Sequence, residues 1–362
     1  MQIIQDRRAL HRIPELGMQL PETLAYLKNA LSDLNCRVFM PMESALCAFF
    51  DFGAEKSLAF RADMDALPIA EKNEADYTSR HPGKMHACGH DGHMAILLEL
   101  ARRLDRKETN PWNILLVFQP AEETIGGAQF ICQTGIFEDY RVEAIFGLHL
   151  WPGLESGRVF SRANELMARA SEINVDIYGK SAHIAKADQG VDAIAAGTEF
   201  FRRAMAMEAA LPNSVFRLLK FGKFESGTVR NALSAHTHME GSLRAFQDEV
   251  FDGMKDRLSA IGRELETEFD CRVEIDINSG YPAVMNPRDL FCRVTAVADI
   301  ACLDAPCMTA EDFAFYQRRI PGLFFFLGTG TGPALHTCNF DFDECVLKTG
   351  ADFFEKLAVN FK

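Results

Sequence analysis

The segment "NILLVFQPAEE", residues 113–123, shows the pattern that decides the fold. Its apolar half predicts a short buried strand, and the polar residues that follow directly mark where the strand ends. The same pattern recurs in "SLAF" before Arg61, in "EAIFGL" before His149 and in "GLFFFLG" before Thr329, with helical patterns such as 92–104 in between. This alternation predicts an α/β fold with a mostly parallel central sheet and helices on both faces. Ligands of such folds bind beyond the carboxyl ends of the strands.

The segment from about 164 to 277 has a different pattern. "ASEINVDIYG" alternates like a half-exposed strand, 190–210 is helical, and two or three antiparallel strands precede a helical pattern at 247–268. This order predicts a ferredoxin-like α+β domain of β-α-β-β-α-β type. We therefore expect a larger domain of residues 1–163 and 278–362, with residues 164–277 inserted into it.

Composition narrows the class of ligand. The chain has 362 residues, 48% of them hydrophobic, and a formal net charge of -13. Two domains are expected at this length. Because the charge is negative and no Lys/Arg run occurs, nucleic acid and anionic membranes are disfavoured as partners, and a small molecule is favoured. The longest apolar runs, "ILLVF" and "LFFFL", fall far short of the roughly 18 residues of a membrane span.

The N-terminus and the cysteines favour a reducing compartment. "MQIIQDRRALHRIPEL" does not follow the pattern of a secretion signal, so we expect the protein in the cytoplasm. The ten cysteines include no Cys-x-x-Cys pair and are expected to be reduced. Cys88 differs from the other cysteines because it lies among histidines and an aspartate.

That environment is "KMHACGHDGHMA", residues 84–95. Cys88 and His90 are two positions apart and would point to the same face of an extended segment, as a chelating pair requires. His86 would share that face and His93 would lie on the following helix. Each of these two is a candidate ligand or a hydrogen-bond partner of a ligand.

Glu122 and Glu123 are two adjacent carboxylates directly after a buried strand. Such a pair is costly unless cations or a shared proton offset the repulsion. Because adjacent side chains point apart, one can bind a metal while the other faces a water molecule. Metal-assisted hydrolysis uses this division.

Strand ends and turns supply five candidate donors, namely Cys88, His90, Glu123, His149 and His336. One tetrahedral catalytic ion takes about three protein ligands, so five are too many. If Cys88 bridges, three bonds go to each of two ions that lie roughly 3.5–4 Å apart. Asp65 and Asp91 are expected to support a ligating histidine, whereas Asp63 could equally form a turn.

Successive motifs along nearly the whole chain resemble those of the M20 metallopeptidase superfamily, in its amidohydrolase branch. The motifs are "RRALHRIPEL", "FRADMDALPI", "MHACGHDGHMA", "FQPAEE", "GLHLWPG", "GKSAHIA", "GTVRNALSA", "EGSLRAF", "MTAEDFAFY" and "LHTCNFDFDE". The branch contains aminoacylases, hippurate hydrolases and N-acetyldiaminopimelate deacetylases, and the chain is most similar to the last group. One departure is "SAHIAKADQG", which lacks the Pro-His pair that many relatives have at this place.

The resemblance implies roles for individual residues. The five donors match the ligands of two divalent metal ions, which could be zinc, cobalt, nickel or manganese. Glu122 matches the general base, and His183 matches a histidine that polarises the scissile carbonyl, sometimes across a dimer interface. Asn231 and Arg244 match substrate-binding positions. The inserted domain would act as a lid and would also mediate homodimer formation.

The resemblance implies that the protein removes an acyl group, by likeness an acetyl group, from an N-acyl amino acid such as N-acetyldiaminopimelate in lysine biosynthesis. One alternative is a broad-specificity aminoacylase, hippurate hydrolase or dipeptidase. Another is a small-molecule-binding protein that kept the fold and lost catalysis. A nucleotide-binding role is disfavoured, because "GTGTGPA" at 328–334 leads to His336 and not to a helix.

Overall fold

The computed structural model describes residues 1–362. The chain forms two compact units: Met1–Leu166, Met285–Pro306 and Asp312–Lys362 make up the larger, and Met167–Val284 with Cys307–Glu311 the smaller. Compared with the division expected from the sequence, residues 164–166 lie in the larger unit, and the segments 278–284 and 307–311 lie in the smaller unit. No helix combines the length and the apolar character that crossing a membrane requires.

Strands and helices alternate through most of the chain. The strands are β1 (Arg37–Phe39), β2 (Leu46–Phe50), β3 (Ser57–Asp63), β4 (Asn113–Gln119), β5 (Val142–Trp151), β6 (Val159–Ser161), β7 (Asn164–Met167), β8 (Arg169–Tyr178), β9 (Arg217–Ser226), β10 (His236–Ala245), β11 (Arg272–Ile277), β12 (Val284–Asn286), β13 (Ala301–Cys302) and β14 (Gly322–Gly328). The α-helices are α1 (Gln2–His11), α2 (Pro21–Leu31), α3 (His90–Asp105), α4 (Gly127–Cys132), α5 (Ile136–Asp139), α6 (Ala193–Ala210), α7 (Asp248–Phe269), α8 (Arg288–Thr295), α9 (Ala314–Gln317) and α10 (Val346–Asn360).

The larger unit is built on an eight-stranded sheet in the order β1-β2-β4-β3-β5-β14-β6-β13. Its central strands β4, β3, β5 and β14 run parallel, and antiparallel pairs join β2 to β4 and β14 to β6. Every residue of β3, β4 and β14 is buried. This burial explains the apolar runs of β4 and β14, whereas β3 also contains the buried Arg61 and Asp63. The prediction of an α/β fold with a mostly parallel sheet is confirmed.

The core of the larger unit joins this sheet to its helices. Phe60 of β3 and Phe146 of β5 belong to one buried cluster with Ile96 of α3 and Phe354 of α10. The rings of Phe60 and Phe354 lie 5.0 Å apart, nearly edge to face. Burial of such large apolar side chains holds the helices on the sheet and so fixes the strand ends from which the polar residues project.

The smaller unit contains β8, α6, β9, β10, α7 and β11, in the predicted order. Its four strands form an antiparallel sheet in the order β11-β8-β10-β9, the ferredoxin-like arrangement. Burial alternates along β8 and β11, so one face of the sheet packs on a core that includes Phe200, Leu243 and Leu258. The role of this unit as a lid or a dimerisation domain stays a prediction.

All ten cysteines are free, and Cys47 and Cys88 are buried. A chain of this size does not need disulfide bonds, because its two cores supply the burial that small secreted domains lack.

The turn after β4 is unusually tight. The backbone N–H groups of Gly126 and Gly127 both donate to the carbonyl of Ala121, at 3.0 and 3.1 Å. A Cβ atom on Gly127 would lie 1.7 Å from the carbonyl oxygen of Pro120. Only glycine fits here, so this close approach shapes the turn that carries the two adjacent glutamates.

We predict that Gly127→Ala lowers the free energy of unfolding by about 1–3 kcal/mol, because the Pro120 carbonyl has to move out of a packed turn. The matched control is Gly253→Ala on α7, where a Cβ would meet no atom within 4 Å. Alanine there should stabilise the helix by up to about 1 kcal/mol. Urea denaturation followed by circular dichroism measures both, and equal stability of the two variants would contradict the close-approach argument.

Candidate metal centre

The polar residues predicted at strand ends lie together in the larger unit. Asp63 is the last residue of β3, and Glu122 and Glu123 follow β4. His149 lies near the end of β5, two residues before Trp151. Since these strands are parallel neighbours, their carboxyl ends meet at one edge of the sheet.

Five donor side chains form two groups that share one residue. Cys88, His90 and His149 form the first group, and Cys88, Glu123 and His336 the second, with the donor atoms of each group within 4.8 Å of one another. Cys88 Sγ lies 3.3 Å from His149 Nε2 and 3.3 Å from His336 Nε2. All the donors proposed from the sequence are therefore brought together, with the thiol common to both groups.

The imidazole nitrogens are oriented for metal binding. His149 Nδ1 donates to the carbonyl of Leu150 at 2.7 Å, and His90 Nδ1 donates to the carbonyl of Asp65 at 2.7 Å. Because a carbonyl can only accept, both Nδ1 atoms carry a proton, so Nε2 is the atom that each imidazole offers to a metal once it is neutral. His90 Nε2 is buried without a hydrogen-bond partner, which is expensive unless a cation satisfies it.

The pKa directions follow from burial and from charge. Burial, reinforced by the neighbouring glutamates, raises the pKa of the Cys88 thiol well above its usual range. Burial, helped by His93, lowers the pKa of His149. For His90 burial favours the neutral form, but Asp63 and Asp65 outweigh it and raise the pKa to about 10. Cys88 and His90 hold protons that a metal must displace, so metal binding would release protons.

The route by which Cys88 and His90 meet differs from the prediction of an extended segment. Gly89, with φ of 88°, turns the chain in the left-handed region, and His90 is the first residue of α3. The two donors are adjacent because the chain reverses at a glycine and not because side chains alternate along a strand. His149 likewise lies within β5 and not beyond its end.

Asp65 holds the glutamate turn and a donor histidine. Its two carboxylate oxygens accept from the backbone N–H groups of Glu122 and Glu123, at 3.0 and 3.1 Å. Its own carbonyl accepts from His90 Nδ1. These contacts agree with the expected support of a ligating histidine, although it is the backbone carbonyl of Asp65 that provides it.

Asp63, which the sequence left open, has a clear structural place. His93 Nε2 accepts from the backbone N–H of Leu150 at 2.9 Å, so His93 Nδ1 must donate to Asp63, at 2.6 Å. Arg61 donates to the other oxygen of Asp63 at 2.8 Å. Arg61 and Asp63 share one face of β3, so period-two spacing was the signal that could have revealed this pair.

Asp91 does not contact a donor histidine as expected. Its Oδ2 accepts from Arg7 Nε at 2.8 Å and lies 2.7 Å from His11 Nδ1. Arg7, followed by His11, lowers the pKa of Asp91 against the effect of burial. His86 is not one of the donors brought together here, because it belongs to none of the groups of close donor atoms. Both of its nitrogens are buried without a hydrogen-bond partner, and burial lowers its pKa to about 3.

His336 lies on an irregular segment. Its φ is 61°, a left-handed conformation that costs a non-glycine residue roughly 1–2 kcal/mol. Its N–H donates to the carbonyl of Ala87 at 2.8 Å, and its Nε2 lies 3.3 Å from Glu123 Oε1. Tertiary contacts therefore hold this donor in a conformation that the chain would not adopt by itself.

The other predicted site residues lie in the smaller unit. His183 is exposed and caps a short 3₁₀ helix, with Nδ1 accepting from the N–H of Ala185 at 3.1 Å. The carbonyl of Asn231 accepts from the N–H of Ile184 at 3.0 Å. The guanidinium of Arg244 donates to the carbonyl of Met308 and to Ser242 Oγ. Their predicted roles toward a substrate stay predictions.

Comparisons with known proteins agree with the resemblance seen in the motifs. The sequence profile of peptidase family M20/M25/M40 matches residues 59–360. An uncharacterized hydrolase from Staphylococcus haemolyticus is 34% identical over 374 residues, covering 99% of this chain and 98% of the relative.

Solved structures extend this likeness to the fold. A protein described as an aminohydrolase from methicillin-resistant Staphylococcus aureus superposes with a TM-score of 0.90 at 25% identity, covering 98% of this chain and 95% of its own. A Bacillus subtilis protein described as a dinuclear metal binding peptidase of the M20 family superposes with a TM-score of 0.86 at 27% identity, covering 99% and 96%. Because the family profile spans most of the sequence and both folds agree, the chain belongs to peptidase family M20/M25/M40.

Proposed function

We propose that the protein is a metal-dependent amidohydrolase that removes an acyl group from an N-acyl amino acid, with two divalent ions at the donor cluster. The observation that carries this proposal is the sharing of Cys88 between two three-donor groups. A single ion would leave two of the five donors unused. The family and a relative described as a dinuclear metal binding peptidase support the same conclusion.

The donor types favour zinc without demanding it. Thiolate and imidazole suit zinc, while carboxylate and imidazole also accept cobalt, nickel or manganese. When bound, the ions would polarise the scissile carbonyl and lower the pKa of the attacking water.

Glu122 is the proposed general base. Its side chain is 8% exposed, and a carboxylate oxygen lies within 4.8 Å of donor atoms of His90 and Glu123. Asp65 fixes its backbone through the N–H group. Glu122 would accept a proton from the attacking water and return it to the departing nitrogen. The resemblance assigns polarisation of the carbonyl to His183, and substrate binding to Asn231 and Arg244.

We predict that Glu122→Gln lowers kcat by about 10²–10⁴-fold while two metal ions per chain remain bound, because the amide keeps the shape but cannot accept the proton. Initial rates on an N-acyl amino acid and elemental analysis of the same sample measure the two quantities. Near-normal turnover would remove Glu122 from the mechanism.

The matched control for Glu122→Gln is Cys88→Ser, which should lose metal as well as activity because it removes the shared donor. Treatment of the wild-type protein with a strong chelator should abolish activity, and divalent ions should restore it. Full activity after complete metal removal would contradict the proposed function.

The proposed substrate is N-acetyldiaminopimelate, and the main alternative is a broader range of N-acyl amino acids or dipeptides. We expect kcat/KM for N-acetyldiaminopimelate to exceed that for N-acetylmethionine, hippurate and dipeptides by at least about tenfold, because a site built for a second charged end leaves polar groups unpaired with shorter substrates. Comparable values across the panel would identify a broad aminoacylase. Binding without turnover of any substrate would identify an inactive binding protein.

We also propose that the protein forms a homodimer through the smaller unit. β9 is an edge strand, and Phe224 on β9 is 42% exposed. Phe201 on α6 is 38% exposed, with its ring 6.5 Å from that of Phe224. An open edge strand beside exposed aromatic rings is typical of a surface that pairs with a second copy.

We predict that Phe224→Glu shifts a dimer toward monomer, because the carboxylate would be buried in the interface. The control is Met40→Glu, which changes a side chain of similar exposure, 37%, in the larger unit. Sedimentation velocity at several concentrations measures both variants. A wild-type protein that is monomeric throughout contradicts the dimer.

A cytoplasmic location stays a prediction as well. The free state of all ten cysteines favours a reducing compartment.

A further inference from the structure

The segment "RRALHRIPEL", residues 7–16, has no part in the proposed chemistry, yet several of its residues are buried, among them Arg7, His11 and Glu15. We call it the N-terminal brace. It contains the end of α1 and the turn that follows. Arg7 and His11 are both fully buried, at 0% exposure. Two buried cationic side chains are costly, so their partners indicate what the segment holds.

Arg7 joins two parts of the chain that carry metal donors. Its Nε donates to Asp91 at 2.8 Å, and Asp91 directly follows His90 in α3. Its Nη2 donates to Asp341 at 2.9 Å and its Nη1 to Glu344 at 3.3 Å, both beyond His336. The planar guanidinium thus fixes three carboxylates, from two separate parts of the chain, in one geometry.

Aromatic rings surround the same guanidinium. The central carbon of Arg7 lies 4.8 Å from the ring centre of Tyr77 and 4.6 Å from that of Phe342. Tyr77 also donates its hydroxyl to the second oxygen of Asp341 at 2.7 Å. The charge is therefore held between two ring faces and cannot easily shift to solvent.

His11 and Arg8 extend the contacts. His11 lies between Asp91, at 2.7 Å, and Glu71, at 3.1 Å. Arg8 makes a two-pronged contact with Glu344, at 2.6 and 3.0 Å. The cations of the brace are thus matched by carboxylates of α3, of the segment near Glu71 and of the segment after His336.

The brace also reaches the segment that carries Asp65. The carbonyl of Glu15 accepts from the N–H of Ala66 at 2.7 Å, next to the residue whose carbonyl holds His90. The carboxylate of Glu15 meanwhile accepts from the N–H of Thr23 at 2.8 Å and so caps α2. The brace therefore contacts three parts of the metal centre, namely the first turn of α3, the segment after His336 and the segment that carries Asp65.

The two donor groups depend on this support to different degrees. His90 is on α3 and His149 is on β5, so regular backbone hydrogen bonds hold them. His336 lies between the end of β14 at Gly328 and the start of α10 at Val346, where no helix or strand occurs. It is also in the left-handed conformation, with φ of 61°. Because no hydrogen bonds of a helix or strand hold the His336 segment, side-chain contacts must keep it in place.

We propose that the N-terminal brace positions the His336 segment against the first turn of α3 through the contacts of Arg7. This positioning sets the affinity for the ion held by Cys88, Glu123 and His336. Arg7, His11 and Asp341 are positioning residues, and none of them is proposed to touch the substrate. This inference rests on the proposed two-metal function.

The test compares Arg7→Lys and Asp341→Asn with the wild-type protein. Lysine keeps the charge of Arg7 but loses the fork, and asparagine keeps the shape of Asp341 but loses its charge. We expect one ion to stay tightly bound in both variants and the dissociation constant of the second to rise about tenfold or more. Titration of metal-free protein with zinc against a competing chelator measures both constants. Asp341, at 31% exposure, tolerates substitution if Arg7→Lys does not fold.

The matched control is Arg102→Gln. Arg102 pairs with Asp6 at 2.6 Å and so also joins α1 to α3, but it lies near the far end of α3 from His90 and has no contact with the segment that follows His336. The Arg102→Gln substitution should lower the melting temperature and leave the dissociation constants of both ions unchanged.

A second readout does not involve metal. Hydrogen exchange of peptides covering residues 329–345 in the metal-free protein should be faster in Arg7→Lys and Asp341→Asn, and unchanged in Arg102→Gln. If the wild type binds two ions and the folded variants bind both as tightly, the brace inference is overturned and the two-metal function stands. A wild type that binds fewer than two ions overturns both.

Discussion

The structure of the site depends on offsetting the free-energy cost of burying thiol, carboxylate and imidazole donors close together. Cys88, His90 and His149 are all less than one tenth exposed, and Glu123 lies within reach of them. Burial raises the pKa of Cys88, while carboxylates raise that of His90, so the site retains protons when no cation is bound. Cations that replace these protons would attract the negatively charged thiolate and carboxylates, which would otherwise repel one another. The donor cluster therefore makes physical sense as a metal centre.

The scaffold places this cluster at the edge where parallel strands end. β3, β4 and β5 are neighbours, and their carboxyl ends deliver Asp63, the two glutamates and His149. Asp65 then fixes the glutamate turn by accepting from two backbone N–H groups. A helix and a strand hold His90 and His149, and the irregular segment of His336 is held by the buried charges of the N-terminal brace.

The larger elements were predictable because their signals are local. Continuous apolar runs correctly predicted β4 and β14. The change to alternating apolar and polar residues, with the order of strands and helices, correctly predicted the ferredoxin-like unit. That the five proposed donors lie close together could be expected from the sequence, because burying thiol, imidazole and carboxylate groups next to buried strands is costly unless they have partners. The prediction of an extended path between Cys88 and His90 was wrong, because the left-handed turn at Gly89 is a single-residue feature that the surrounding sequence pattern does not reveal.

By itself the sequence determined the fold class and allowed the five donors and the adjacent glutamates to be proposed, since each inference depends on residue type and on spacing along the chain. Tertiary structure decided which atoms face one another. It placed Asp91 with Arg7 and not with a donor histidine, and it paired Asp63 with His93. These contacts join residues that are 84 and 30 positions apart, and no local periodicity encodes such distances. Only the packing of α1, α3 and β3 brings them together.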